Sequence, residues 1–214
     1  MSDGEDDFPQ LSSEAMLALQ EFYDEKAESD RKLQEALMKT DHASGSFDFD
    51  EDWQLSQFWY DEETIEVLAR EAIDTVGPNG TIALISCPSL FSKIKALSPD
   101  TQVVLLEYDT KFSVYGPSFI FYDYKAPLDV NRNLASKFDL VIFDPPFLSE
   151  ECLTKTSLTA KFLAKDKLLL CTGVVMEKLA NRLLAVEKCK FAPKHRNNLA
   201  NEFGCFKNYR SKLE

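Results

Sequence analysis

The chain has 214 residues with 24 basic and 36 acidic side chains, a net charge of −12, which is the opposite of what a nucleic-acid wrapper needs. With 44% hydrophobic residues it is not disordered throughout, and it is long enough to bury one substantial core. No apolar run approaches the ~20 residues that span a bilayer, and the acidic start Met1-Ser2-Asp3-Gly4-Glu5-Asp6-Asp7 is unlike a basic secretory or transit peptide.

The charge is local. Residues 1–52 hold 16 acidic against 4 basic side chains, which is the whole imbalance, and residues 53–214 hold 20 of each. The chain therefore reads as an acidic N-terminal extension over 1–52 and a neutral globular body over 53–214. Residues 1–10 are expected to be disordered. Leu11, Ala15, Ala18, Leu19 and Phe22 then recur at helical spacing behind Ser12 and Ser13, which are good N-caps. The spacing predicts a helix over 13–38, its second half mostly solvated, and a linker or mobile loop over 39–52.

In the body, Asp61 caps a predicted helix that buries Ile65, Leu68, Ala69, Ala72, Ile73 and Val76 and stops at Gly77-Pro78. Its acidic first turn suits the positive end of the helix dipole. Short apolar runs then alternate with helical patterns. Strands are predicted at 81–86, 102–107, 119–122, 138–143 and 167–171, and helices at 89–97, near 128–134, at 149–163 and from Met176 to Leu184. The runs at 186–191 and 202–209 alternate as an antiparallel pair. Continuous apolar strands separated by helices mean a mainly parallel sheet covered on both faces. The expected fold is α/β, a doubly wound seven-stranded sheet with an N-terminal helical extension.

Cys87, Cys152, Cys171, Cys189 and Cys205 are odd in number and lack C-x-x-C spacing, and only His42 and His195 could join them. This argues for free thiols packed as small core residues, for a reducing, cytoplasmic setting, and against a metal centre.

Ligands of an open α/β sheet bind beyond the carboxyl ends of its strands, so the places to inspect are 86–89, 107–109, 123–124 and 144–147. The fourth strand ends in Asp144-Pro145-Pro146-Phe147. The two prolines hold φ near −65° and stiffen the turn. Asp144 and the Pro145 carbonyl then serve as two acceptors beside the aromatic face of Phe147. Two acceptors and a ring suit an amino group, because the acceptors orient its hydrogens and aim the lone pair elsewhere. An isolated D-P-P-F could equally be a plain proline turn; its place at the end of a buried strand favours chemistry.

Asp144–Phe147 resembles the (Asp/Asn)-Pro-Pro-(Phe/Tyr) motif of class I, S-adenosylmethionine-dependent amino methyltransferases. The segment Trp53-Gln54-Leu55-Ser56-Gln57-Phe58-Trp59-Tyr60 narrows the choice, together with Leu106-Glu107-Tyr108-Asp109, residues 119–124 and residues 197–203. With these the chain resembles the eukaryotic translation elongation factor 1-alpha lysine methyltransferase 1 family over nearly its whole length. The resemblance implies S-adenosylmethionine along the carboxyl edge of the sheet. The first-strand turn Ser86-Cys87-Pro88-Ser89 faces the methionine moiety, without the glycines most class I methyltransferases have there. Glu107 is the first choice for the ribose hydroxyls and Asp109 the second, with Tyr108 between them. Asp123 accepts from the adenine amino group, with Tyr124 beside it. Asp144, Pro145, Pro146 and Phe147 carry catalysis, and Asp144 also contacts the cofactor. Gln57, Trp59 and Tyr60 form a lid over the cofactor and lysine channel, with Phe147 at the substrate, while Trp53 and Phe58 are read as a hydrophobic plug. Glu107, Asp109 and Asp123 could each be an ordinary solvated carboxylate; their joint place at two strand ends favours the functional reading.

The expected activity is methyl transfer to a lysine of a basic protein, elongation factor 1-alpha, by a monomer that uses neither metal nor membrane. Adenine-N6 methylation of DNA or RNA is the alternative, with the flipped base stacked on Phe147. Residues 186–214 hold seven basic against three acidic side chains and could pass for a nucleic-acid surface, though an ordinary solvated hairpin explains them as well. A non-catalytic methyltransferase-like scaffold is a third reading, argued only from the missing glycines. The acidic extension either docks or steers a basic protein or simply solubilises the chain.

Overall fold

Asp61 starts the first described helix as expected: its side chain accepts the Thr64 N–H at 2.8 Å, and α1 (Glu62–Val76) follows. Gly77, at φ 70°, ends it with its N–H on the Ile73 carbonyl at 2.9 Å. The structure is a computed structural model and describes residues 57–197 and 201–214. The expected helix at 13–38, the linker and Trp53 lie outside the described residues.

Six more elements carry the site: β1 (Thr81–Ile85), α2 (Ser89–Leu97), β2 (Gln102–Glu107), β3 (Phe119–Phe121), β4 (Phe138–Phe143) and α3 (Glu150–Leu163). They are followed by β5 (Ala164–Gly173), α4 (Glu177–Leu184), β6 (Glu187–Lys188) and β7 (Phe203–Lys207). One sheet of seven strands runs β3-β2-β1-β4-β5-β7-β6. The first five strands pair in parallel, and β7 is antiparallel to both β5 and β6. The doubly wound seven-stranded sheet is therefore as expected. Its order reverses between β1 and β4, which opens the crevice where such sheets bind ligands.

Two cores flank the sheet, divided by the two-residue period of the strands. Ile82 and Leu84 of β1, and Leu140 and Ile142 of β4, pack with Leu68, Ala72, Leu90 and Ile94 of α1 and α2. Ala83, Ile85, Val141 and Phe143 point the other way, against Leu153, Ala160 and Leu163 of α3 and Ala180 of α4. All five cysteines are buried and none forms a disulfide.

Some expectations needed correction. The first strand stops at Ile85, because Ser86 leaves extended backbone for φ 56°. Instead of a helix near 128–134 there is only a 3-10 turn, Arg132–Leu134. There the Asn131 side chain takes the Asn133 N–H at 2.9 Å, which competes with helical bonding. The run at 186–191 shortens to the two residues of β6, while β5 extends beyond 167–171 at both ends. A kinked 3-10 segment, Thr110–Ser118, capped by Asp109, was not anticipated. Among the described residues, no helix is long and apolar enough to cross a membrane.

Candidate active site

The sheet ladder runs one residue past the strands and fixes where the site residues start. Ser86 N–H bonds Leu106 O at 3.0 Å, Tyr122 N–H bonds Glu107 O at 3.0 Å, and Asp144 N–H bonds Ile85 O at 3.1 Å. Beyond these bonds lies a cavity of about 550 Å³. Its wall brings together Ser86, Cys87 and Pro88 after β1, Glu107 and Tyr108 at β2, Asp123 and Tyr124 after β3, and Asp144, Pro145, Pro146 and Phe147 after β4. Gln57, Trp59 and Tyr60 complete it from the N-terminal side.

Asp109 is the exception. It lies behind the wall, where it takes the Gln57 amide N–H at 3.0 Å, the Lys111 backbone N–H at 3.0 Å, and an ion pair from Lys111 Nζ at 3.1 Å. It braces the second-strand end and does not line the cavity. Glu107 does line it. One of its oxygens accepts the N–H groups of Tyr108 at 2.9 Å and Asp109 at 3.3 Å. Burial pushes its carboxyl up to about 7 against the pull of those bonds.

Asp144 sits where the β4 ladder ends, on the wall of the cavity. Burial raises it to about 7, and a hydrogen bond donated by the Tyr60 hydroxyl, 2.5 Å from Oδ2, pulls it down. Burial, followed by the facing carboxylate, raises the Tyr60 phenol well above its ordinary value, so Tyr60 is the donor. Pro145-Pro146 then leads to Phe147, 42% exposed, whose ring lies 5.8 Å from that of Tyr124. Ser149 closes the turn by capping α3, its Oγ accepting the Cys152 N–H at 3.2 Å. The α3 cap therefore stiffens the D-P-P-F turn from its far side.

Gln57, Trp59 and Tyr60 are buried, and Phe58 is half-buried. Trp59 packs edge-on against Phe112 with centroids 6.1 Å apart, and Lys111 lies 5.5 Å from its ring. Gln57 bonds Lys111 Nζ at 2.7 Å and, through its amide, Asp109. Phe58 lines the same cavity.

Sequence reasoning missed His195, Asn201 and Phe203, which also line the cavity. A strap at 194–196 pairs with 59–61: Asp61 N–H bonds Lys194 O at 3.0 Å, and Arg196 N–H bonds Trp59 O at 2.8 Å. This sets the His195 ring 5.1 Å from Tyr60 and 4.6 Å from Phe203. The only hint in the sequence was that 53–60 and 197–203 both belonged to the resemblance. Ser86, in the left-handed region, occupies the turn where a glycine was missing. Just beyond it, α2 begins at Ser89 without a side-chain cap, and Pro88 and Ser89 both face the cavity. Among the described residues no cluster of His, Cys, Asp or Glu could hold a metal ion.

A family model described as "Probable N6-adenine methyltransferase" matches residues 51–211. Named relatives carry a different acceptor. EEF1A lysine methyltransferase 1 of Gallus gallus is 50% identical over 219 residues, covering 100% of both chains. The Homo sapiens protein of that name is 50% identical over 217 residues, covering 100% of this chain and 99% of its own. Protein-lysine N-methyltransferase EFM5 of Saccharomyces cerevisiae is 34% identical over 226 residues, covering 93% of this chain and 91% of its own. Among solved structures, the branched-chain polyamine synthase of Thermus thermophilus aligns with a TM-score of 0.55 at 9% identity, covering 74% of this chain and 59% of that one. That likeness shows a shared fold. Half identity over the full length shows more: the chain belongs to the EEF1A lysine methyltransferase 1 family.

Proposed function

We propose that the protein is an S-adenosylmethionine-dependent protein-lysine N-methyltransferase whose substrate is translation elongation factor 1-alpha. One observation carries the reading: Asp144 is pinned through a single oxygen by Tyr60, on the wall of a cavity it shares with Glu107. Relatives at 50% identity bear the name of that lysine methyltransferase.

The residues present fit the cofactor. The cavity lies within the roughly 300–1,000 Å³ typical of small-ligand sites. The Glu107 carboxylate suits ribose hydroxyls, Asp123 the adenine amino group, and the uncapped α2 N-terminus the methionine carboxylate. When bound, S-adenosylmethionine supplies an electrophilic methyl group on a sulfonium.

The chain's own task is to deliver a neutral, oriented amine. At pH 7 only about one lysine in 2,500 is neutral, a cost of ~4.6 kcal/mol. The burial that raises Asp144 also penalises an ammonium beside it. It makes Asp144 a better proton acceptor as well. On this view the ammonium proton passes to the Asp144 oxygen that Tyr60 leaves open. The Pro145 carbonyl takes a remaining N–H, and Phe147 excludes water beside the lone pair. Holding nitrogen in line is the larger contribution.

The adenine reading shares the motif but loses its surface. Of the seven basic side chains in 186–214, Lys188, Lys194, Arg196, Lys207 and Lys212 all form ion pairs, with Glu202, Glu63, Glu62, Glu214 and Asp74. Little free positive charge is left for phosphates. The all-thiol cysteine set supports a reducing, cytoplasmic setting. The test is to incubate the protein with methyl-labelled cofactor and, separately, elongation factor 1-alpha, DNA and RNA. Label is expected on a lysine of the protein; label only on adenine would overturn the proposal.

A further inference from the structure

Three cysteines far apart in the sequence end in one line across the sheet, and the chemistry above uses none of them. Cys205 of β7 is the register partner of Cys171 on β5. On its other side Cys189, the residue after β6, donates its N–H to the Cys205 carbonyl at 2.8 Å. All three pack in the core on the α1–α2 side. Thiol contacts with Cys171 and Cys189, followed by burial, raise Cys205 well above the usual thiol value, and contact with Cys205 lowers Cys189. The line points at the site. Phe143 of β4 is aligned with Leu170 of β5, so one residue further on Asp144 stands beside Cys171. Tyr60, which holds Asp144, packs in the same core, and Cys171 is the next influence on its phenol after burial and Asp144.

Backbone pairing makes Cys171 and Cys205 the closest couple. Val174 N–H bonds the Glu202 carbonyl at 2.8 Å and Asn208 N–H bonds that of Leu168 at 3.4 Å, which marks 174/202 and 168/208 as hydrogen-bonded pairs. Bonded and non-bonded pairs alternate, so Cys171/Cys205 is a non-bonded pair, where Cα atoms lie about 4.5 Å apart and side chains approach most closely. That falls inside the roughly 4.4–6.8 Å a disulfide spans. Among the described residues no group of His, Cys, Asp or Glu has metal-holding geometry, which leaves the chemistry thiols have with one another. Access comes from the outer end of the line. Cys189 is 4% exposed, against 0% for Cys171 and Cys205. It follows β6, a strand of two residues at the sheet edge, and Phe191 N–H then bonds the Leu213 carbonyl at 3.1 Å. Short edge pairings open locally without global unfolding, which admits a small oxidant to Cys189 first.

We propose that Cys189, Cys205 and Cys171 are a redox modification site, through which a peroxide closes a Cys171–Cys205 disulfide beside Asp144 and stops methyl transfer. The Cys189 sulfur attacks the peroxide: an S–O bond forms, the O–O bond breaks, and one water leaves with the thiol's proton. The Cys205 sulfur then displaces the sulfenic hydroxyl, which leaves with the Cys205 proton as a second water, and an S–S bond joins Cys205 to Cys189. Cys171 displaces Cys189 from Cys205, and its proton passes to the Cys189 sulfur. In sum, two thiols are oxidised to one disulfide and the peroxide is reduced to two waters. The bridge fixes its C–S–S–C torsion near 90° and so re-aims Cys171 in the row that carries Asp144, under the Tyr60 wall. Misplacing a reacting group by ~1 Å costs on the order of 10²-fold in rate. The effect on turnover rests on the lysine-methyltransferase reading, whereas the bridge itself is read without any activity.

The experiment treats purified full-length protein with hydrogen peroxide and maps linked peptides by mass spectrometry under non-reducing conditions. In parallel it measures kcat on elongation factor 1-alpha with labelled cofactor, and S-adenosylhomocysteine affinity by calorimetry. Wild type is expected to yield a Cys171–Cys205 linked peptide in step with a 10- to 100-fold fall in kcat. Cofactor-product affinity should hold, and dithiothreitol should restore turnover. Cys205→Ala should keep its activity through the same treatment, Cys189→Ala should form the bridge more slowly, and Cys152→Ala, on α3 outside the line, should respond as wild type does. Oxidation confined to Cys87 or Cys152, or no linked peptide in wild type, overturns the proposal, and so does a Cys171–Cys205 bridge that leaves kcat unchanged. Equal loss of activity in Cys205→Ala overturns it as well. Reduced wild-type protein that labels only nucleic acid, or nothing, removes the lysine reading instead; the site then stands or falls on the linked peptide.

Discussion

Glu107 and Asp144 stand at the ends of β2 and β4, both face the cavity, and both are pushed up to about 7 by burial. They are held in opposite ways. Glu107 is bonded by the backbone of the next two residues, Tyr108 and Asp109. Asp144 is bonded by Tyr60, 84 positions away in sequence. Tyr60 is set in turn by the 194–196 strap, more than a hundred residues further along. The β2 end is thus built locally, and the β4 end is assembled by tertiary contacts. On the proposed reading the first end binds the cofactor and the second handles the acceptor amine, so binding and turnover should come apart on mutation.

The largest separation should come from Asp144→Ala. It is expected to cut turnover about 10³-fold while S-adenosylhomocysteine affinity and the circular-dichroism spectrum hold; retained turnover would contradict the amine-handling role. Glu107→Gln should do the reverse. Loss of hydrogen bonds from a charged group is expected to weaken cofactor affinity roughly 10- to 100-fold, with kcat at saturating cofactor little changed. A Glu107→Gln variant that loses kcat but binds normally would merge the two ends.

Tyr60→Phe is subtler, with about a tenfold loss of kcat expected for one missing hydrogen bond. Because that bond lowers the Asp144 pKa, its removal should move the acidic limb of the pH–rate profile to higher pH. A limb that stays put would mean that Tyr60 does not tune Asp144.

The two buried carboxyls should also appear in the stability of the ligand-free protein. Their folded pKa values are raised, so the native state holds protons that the unfolded chain releases from about pH 4 upward. Wild type should therefore lose Tm relative to the Asp144→Asn/Glu107→Gln variant as pH rises from about 4 to about 7, and level off above. Thermal melts across that range check the sign. The smallest effect belongs to Ser86→Gly. Relief of left-handed backbone is offset by glycine's chain entropy, leaving a gain of about 0.5–1 kcal/mol in chemical denaturation.

Legibility followed the same division. Ser89–Leu97, Gln102–Glu107 and Phe138–Phe143 were read to the residue, because each is an apolar run bounded by its own turn chemistry. The 128–134 helix failed where an asparagine side chain outcompeted a weak pattern. Asp109 resembled Glu107 in position and charge, and only the nearby Gln57 and Lys111 showed that it braces the wall from behind. His195 carried no local signal, since its place depends on the strap.

Periodicity and turn residues act over a few neighbours, so the sequence by itself determined the strands, their order of appearance, the carboxylates at their ends and the D-P-P-F turn. The Tyr60–Asp144 bond and the His195 strap join residues far apart in the chain. They exist only because the sheet brings its carboxyl edge, its first segment and its last around one cavity, and that placement is decided by packing and not by any local preference.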